Sequence, residues 1–295
     1  MSRSNISLYQ LSKMYPNADA ARTYFESRRW PDGVTCHHCE ETKRITPRPK
    51  GFYRCNACKK DFTVRTGTIF ERSHVALDKW LLAMYLFITA RKGVTSRQLG
   101  KEIGVTQKTA WFMLGRIREA YGSDSTILSG IVSVDETYEG GKERNKPSKK
   151  QVRDGRGTVR KTPVSGKLER GGRTKAKPAK NTNADTLQST IHEDVAMGST
   201  LQIDDHETPR HSAGEFVRLK VHTNGIESVF AALKRVLNGA CHHASGKNLH
   251  RHVGKFTFRL DDGNEKHHML GRLADLVPAS FGQRITYKEL VAWAI

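Results

Sequence analysis

Four cysteines constrain this chain more than any other feature. Cys36, Cys39, Cys55 and Cys58 are spaced C-x2-C-x15-C-x2-C. Each C-x-x-C turn offers two thiolates to one ion, so two such turns complete a closed tetrahedral Zn2+ shell. A stretch this short cannot bury a core of its own, and metal binding supplies the folding energy instead. Disulfides would demand an oxidising compartment, whereas paired C-x-x-C turns in a reducing one indicate metal. The residues between the pairs suit a hairpin. His37 and His38 adjoin the first pair, but four sulfurs fill the shell without them. Lys59, Lys60 and Arg65 read equally as a solvated face or as contacts to a polyanion. Residues 1–30 form a helix-prone lead-in, with Tyr24, Phe25 and Trp30 free to pack on the next segment of the chain.

The pattern then turns helical. LDKWLLAMYLFITARKG predicts an apolar helix ending at Gly93. TSRQLGKEIGVTQKTAWFMLGRIREA predicts two further helices around a turn at Gly104, capped by Thr95 or Ser96 and by Thr106. This is the profile of a helix-turn-helix, whose second helix enters the major groove by its N-terminal residues. Gln107, Lys108 and Thr109 would then face base edges or phosphates, with Trp111, Leu114 and Ile117 turned inward. The net charge of +20 and pI near 9.9 also call for a polyanionic partner, nucleic acid before membrane. No apolar run is long enough to cross a bilayer, and the N-terminus lacks a signal-peptide pattern. A cytoplasmic, nucleoid-associated protein is expected.

Ile131–Glu139, IVSVDETYE, reads as a strand bounded by glycines, with β-branched Ile131, Val132 and Val134 and with Asp135 near the end of an otherwise buried run. A carboxylate there is costly to bury unless it meets a cation or a strong donor. Lys142–Lys180 comes next, with fifteen Lys or Arg against three acids. It reads mostly as loop, placed to hold phosphates, with weak strands at Thr162–Glu169 and Arg173–Lys180. Asn183 caps a predicted helix through Val195, and Ser199–Ile203 forms a strand ending on Asp204-Asp205. A helix from Thr223 or Asn224 to Leu237 carries an apolar stripe of Ile226, Val229, Phe230 and Leu233. Asn224, Glu227 and Lys234 lie close to one face of it, an amide, a carboxylate and a cation suited to a metal beside a phosphate. His242 and His243 suit phosphate contact or packing, and Cys241 an ordinary thiol. The amphipathic RITYKELVAWAI closes the chain.

Together the cysteine ribbon, the helix-turn-helix, VDETYEGGKERNK, RGTVRKTPVSGKLERGG, HSAGEFVRLKVHTNGIES and LKRVLNGACHHAS resemble bacterial insertion-sequence transposases of the DDE type. These have an N-terminal zinc ribbon and an RNase H-like (ISXO-like) catalytic domain. The resemblance implies an α/β fold in four segments: lead-in and ribbon at 1–72, helix-turn-helix at 73–124, catalytic domain at 125–260 and a tail at 261–295. It implies that Asp135, Asp204 and Glu227 hold Mg2+ or Mn2+, with Asn224 as a rival third ligand and Lys234 on a phosphate. The implied reaction is strand cleavage and strand transfer on double-stranded DNA, at terminal repeats and target, by a homo-oligomer assembled on DNA. In three places the chain departs from the pattern. Only 22 residues separate Asp204 from Glu227, RTKAKPAK is a poor strand, and Asp261-Asp262 stands where the family tends to have Asn and Arg. The departures leave a second reading, a decayed transposase acting only as a zinc-ribbon DNA-binding protein.

Overall fold

The computed structural model describes residues 6–90, 93–121, 126–141, 161–203, 224–241, 246–261 and 269–292. The chain divides into two compact units, residues 1–121 with 262–295, and residues 122–261.

The first unit opens with helices α1 (Leu8–Met14) and α2 (Ala18–Arg29). Ser7 and Gln10 form a capping box on α1, and Asn17 caps α2 through the Ala20 N–H. A three-stranded antiparallel sheet comes next, in the order β1 (Ile45–Arg48), β2 (Phe52–Cys55), β3 (Asp61–Thr63). Its small core is aromatic: Tyr53 stacks on Phe62 at 5.6 Å, and Trp30 meets both rings edge-on. Helix α3 (Leu77–Thr89) stops four residues short of the expected Gly93. It is succeeded by α4 (Ser96–Ile103) and α5 (Gln107–Tyr121). The turn between them rests on Gly104, whose φ of 64° is the left-handed conformation that glycine adopts without a Cβ penalty. Thr95 and Thr106 cap the two helices through the Gln98 and Thr109 N–H groups, and Lys79 of α3 donates to the Gly104 carbonyl at 3.0 Å.

Two guanidiniums hold the segment between ribbon and α3. Arg65 donates to the carbonyls of Ser73 and Val75 at 2.8 and 2.9 Å. Buried Arg116 of α5 donates to those of Ile69 and Glu71 at 2.5 and 3.0 Å, beneath the Phe112 ring. Arg65 therefore serves backbone carbonyls of its own fold, rather than a solvated face or a polyanion as its place in the sequence suggested.

The second unit holds a four-stranded mixed sheet. Strand β4 (Ile131–Glu139) spans the limits expected for it and is central. It is joined by β5 (Thr162–Glu169), β6 (Thr174–Pro178) and β7 (Thr200–Ile203), in the order β6-β5-β4-β7. The β4–β5 and β5–β6 pairs are antiparallel and β4–β7 is parallel. On one face Val132 and Val134 pack with Leu128 and Val195, beside helix α6 (Ala184–Asp194). On the other face helices α7 (Asn224–Val236) and α8 (Gly246–Leu260) close a core of Val164, Ala176, Ile226, Phe230, Leu233 and Val253. A π-helical turn, Leu237–Cys241, continues α7.

RTKAKPAK looked poor for a strand, yet β6 forms. Its Ala176 joins the α7–α8 core, while Lys175 and Lys177 alternate to the α6 face. There Asp194 accepts from Lys167 at 2.7 Å, Lys177 at 2.9 Å and Lys175 at 3.2 Å, with Lys167, Lys175 and Asp194 all buried. Pro178 falls at the end of an edge strand, where a missing N–H costs little. Asp261 also finds a role, its carboxylate accepting the Thr174 N–H at the start of β6. Asn183 occupies the N-cap position of α6 without a side-chain capping bond.

The remaining helices, α9 (Met269–Ala279) and α10 (Tyr287–Val291), belong to the first unit. The Ile69 N–H donates to the Ser280 carbonyl, and Leu290 of α10 lies against Gly115 of α5. The segment read as a tail is thus part of the fold around α5.

Burial alone pushes the Asp194 carboxyl up, but hydrogen bonds and charge from Lys167 and Lys177 outweigh it and hold the group at about 2. A depressed carboxylate contributes stability above its unfolded-state value and loses it as pH falls through the folded value. Stability from this cluster should therefore fall as pH drops from about 4 towards 2. Asp194→Ala should cost about 3–5 kcal/mol at pH 7, because it leaves buried ammonium groups unpaired. Urea unfolding of the variant checks this, and a loss below about 1 kcal/mol would contradict a buried, paired role.

Candidate functional site

The four cysteines converge as their spacing predicts. Their sulfurs all lie within 4.8 Å of one another, with Cys36–Cys58 at 3.7 Å and Cys39–Cys55 at 3.5 Å. A tetrahedral Zn2+ with bonds near 2.3 Å sets its sulfurs about 3.8 Å apart, so donor set and size both fit a structural zinc site. The two turns are built alike. In each, the N–H of the first cysteine donates to the carbonyl five residues on, Cys36 to Glu41 and Cys55 to Lys60. In each, the residue four places on is left-handed, Glu40 at φ 59° and Lys59 at φ 58°. His37 lies with its ring against Gly67 and outside the sulfur cluster.

Gln107 and Lys108 are exposed on the first turn of α5, with Thr109 half-buried beside them. Behind that turn Ala110, Met113, Leu114 and Ile117 are buried, and Trp111 is half-buried rather than turned fully inward.

In the second unit Asp135 is half-buried at the middle of β4, its Oδ1 accepting the Glu136 N–H at 2.7 Å. Across the sheet it pairs with Gly166, and Gly166 with Ala176, so the three share the face covered by α7 and α8. A Cβ on Gly166 would come within 2.6 Å of the Phe230 ring and 3.2 Å of Ile226, so α7 lies directly on the strand pair at the level of Asp135. At about 100° per residue, Ile226, Phe230 and Leu233 form the buried stripe of this helix, and Leu237 of the π-helical turn continues it. Val229, Ala232 and Val236 pack on the same core from one flank. Glu227 and Lys234 are exposed on the opposite flank, Glu227 in the first turn and Lys234 in the last.

Asn224 opens α7. Asp204 lies outside the described residues, as do Thr223, His242, His243, Asp262 and Lys142–Arg160 of the basic run. The β4–β7 register ends at Val134–Ile203, one residue before Asp135 on one strand and one before Asp204 in sequence on the other. Of the basic run that is described, Lys167 and Lys175 are committed to Asp194 rather than to a phosphate.

Glu139 lies within VDETYEGGKERNK but was not among the residues singled out there. It shares the Asp135 face two alternations along β4, and its Oε1 is buried without a hydrogen bond. Burial raises its carboxyl above the ordinary range, with Lys234 and Lys161 pulling it back. Period-two alternation from Asp135 is the signal that would have found it.

A four-thiolate ribbon, a helix-turn-helix and a separate mixed sheet with a carboxylate on its central strand define a zinc-ribbon protein with an RNase H-like α/β domain. Residues 127–261 match the family described as ISXO2-like transposase domain, and residues 16–61 the transposase zinc-ribbon domain. An uncharacterized protein in transposable element ISH50 of Halobacterium salinarum is 35% identical over 236 residues, covering 71% of this chain and 80% of that protein. The chain belongs to the IS1595-type insertion-sequence transposases. Among the described residues no helix is long and apolar enough to cross a membrane.

Zinc analysis of the purified protein should give about one ion per chain, and chelation should unfold the ribbon. Left-handed backbone at a non-glycine residue costs roughly 1–2 kcal/mol, partly offset by the chain entropy glycine adds. Lys59→Gly should therefore leave the chelator-sensitive unfolding unchanged or raise its midpoint, while Lys59→Val lowers it. The opposite order would contradict the left-handed turn at Lys59.

Proposed function

We propose that this chain binds the ends of its element through the α5 first turn and carries out metal-dependent DNA cleavage and strand transfer. The observation that carries the reading is the seating of α7 on Gly166, opposite Asp135, with Glu227 in the first turn of that helix. The β4–β7 register supports it from the other side, since its last pair, Val134–Ile203, immediately precedes Asp135 and Asp204 in the sequence.

In this reading Asp135, Asp204 and Glu227 supply oxygen ligands to Mg2+ or Mn2+, hard cations that take carboxylates and keep positions for water and phosphate. When bound, such ions polarise the scissile phosphate, activate the attacking oxygen and stabilise the leaving one. Asp135 is held for that task by the Glu136 N–H, which fixes its carboxylate orientation. Lys234, on the same flank as Glu227, neutralises a phosphate of the bound strand. Water is the first nucleophile and breaks the phosphodiester at the element end. The freed 3′-hydroxyl then attacks a target phosphate in the same site, and a target 3′-oxygen leaves. No covalent protein intermediate is required, and the chain acts as a homo-oligomer that pairs two ends.

The test uses oligonucleotides carrying the terminal repeats that flank the gene. Asp135→Ala, Asp204→Ala and Glu227→Ala should each reduce cleavage and joining to background and leave DNA binding within about twofold, since ligand loss removes the ion and not the fold. Asn224→Ala should cost about 10–100-fold or less, as for a group supporting a ligand. Asn224→Ala inactive beside an active Glu227→Ala would reassign the third ligand. An unmutated protein that binds the ends but cuts nothing in Mg2+ or Mn2+ would make this copy a DNA-binding relic.

Binding should also weaken roughly linearly in log affinity against log salt, because each neutralised phosphate releases counterions. Lys108→Ala should reduce that slope by about one if Lys108 meets a phosphate. An unchanged slope removes Lys108 from the interface.

A further inference from the structure

Beside the first turn of α5 the first unit holds a cavity of about 330 Å3. Its walls are apolar, formed by Phe112, Met113 and the ring of Tyr287, and its rim carries Lys108, Arg72 and His74. Phe112 and Tyr287 sit 6.2 Å apart between ring centroids, tilted at 39°. One side of Phe112 is occupied by the Arg116 guanidinium, 4.3 Å from the ring centre. Tyr287 is half exposed at 52%, and Arg72, His74 and Lys108 are exposed lining residues.

The cavity is preformed rather than loose. Its rim segment is held by Arg65 on the Ser73 and Val75 carbonyls and by Arg116 on that of Glu71. Glu71 itself accepts the Gly67 N–H at 2.7 Å and pairs with Arg284 at 3.0 Å. Between these anchors Arg72 is left-handed at φ 55°, a conformation that arginine keeps only when its surroundings impose it. Arg72, held in that conformation, is exposed and lines the cavity.

We propose that this cavity receives one unpaired nucleobase of the bound DNA, with the adjoining phosphate held by Lys108 and Arg72. A flat aromatic ring joined to an anion matches apolar aromatic walls inside a cationic rim, and base stacking on aromatic side chains is tolerant of sequence. A paired base in a duplex is not available to such a pocket, because its faces are already stacked. The base must therefore be extruded or lie in a distorted or single-stranded stretch, and the pocket selects DNA in that state. The inference rests on the reading that the α5 first turn meets DNA, and adds to it the form of DNA that binds there.

The experiment compares two duplexes of one sequence with the full-length, zinc-loaded protein. In one, a single 2-aminopurine is paired with thymine; in the other it faces an abasic site and is free to leave the stack. The unpaired probe should bind roughly tenfold more tightly, within the range that stacking one base on an aromatic ring provides. Its fluorescence should change on binding in a way that the paired probe's does not. Tyr287→Ala should abolish both the preference and the fluorescence change, and Tyr287→Phe should keep them. Lys108→Ala should weaken both probes. Equal affinity for the two probes overturns the pocket and leaves the DNA-binding reading standing; binding to neither overturns both. A preference that survives Tyr287→Ala also overturns it. So does concentration-dependent self-association that Tyr287→Ala removes without altering the base preference, because the cavity would then receive a second copy of the chain.

Discussion

How near α7 comes to the sheet depends on the absence of a side chain at Gly166. Phe230 and Ile226 occupy the space a Cβ would need, so the helix lies on β5 and beside β4 without an intervening layer. Close packing of this kind leaves little freedom to slide, because interiors are as dense as organic crystals. That contact fixes the height of Glu227 over the strand that carries Asp135. A larger residue at Gly166 would hold the helix off the sheet by about the thickness of a methyl group, enough to spoil the metal site proposed above, because metal ligands tolerate shifts of only a few tenths of an ångström.

A chain with a charge of +20 invites the assumption that its cations all face solvent or DNA. Many do not. Arg29, Arg65 and Arg116 donate to backbone carbonyls far along the chain or in the irregular segment before α3, a use suited to the several donors of guanidinium. Lys167 and Lys175 are buried on Asp194, with a third lysine on the same carboxylate at the surface. Such clusters do not add much stability over an apolar core, but they are intolerant of losing a member. Here Asp194 ties the end of α6 to β5 and to the edge strand β6. The electrostatic footprint available to a polyanion is correspondingly smaller than the composition suggests.

Some of this was legible in the sequence, and the rest was hidden for identifiable reasons. The sulfur cluster, the Gly104 turn, the β4 limits and the amphipathic α7 all come from local rules: ligand spacing, φ preference and periodicity. Strand β6 read as weak because Pro178 and the scarcity of β-branched residues count against a strand, whereas Asp194, remote in sequence, holds Lys175 and Lys177 on one face of it. The role of residues 269–292 in the first unit was illegible, since Leu290 on Gly115 and Ile69 on Ser280 are contacts between segments remote in sequence. Glu139 was readable from alternation, since it falls on the Asp135 face of β4. The aromatic cavity needed Arg72, Phe112 and Tyr287 from three remote segments, and no one-dimensional pattern brings them together.

The central claim is that the strand carrying Asp135 and the helix carrying Glu227 share one divalent cation site with Asp204. Crystals of the protein with Mn2+ and an oligonucleotide test it most directly, because the anomalous signal locates each ion independently of any activity. At least one Mn2+ is expected within about 2.0–2.3 Å of carboxylate oxygens from Asp135 and Asp204, with Glu227 completing the protein ligands. Mn2+ bound elsewhere, or coordinated without any oxygen from Asp135, would contradict it.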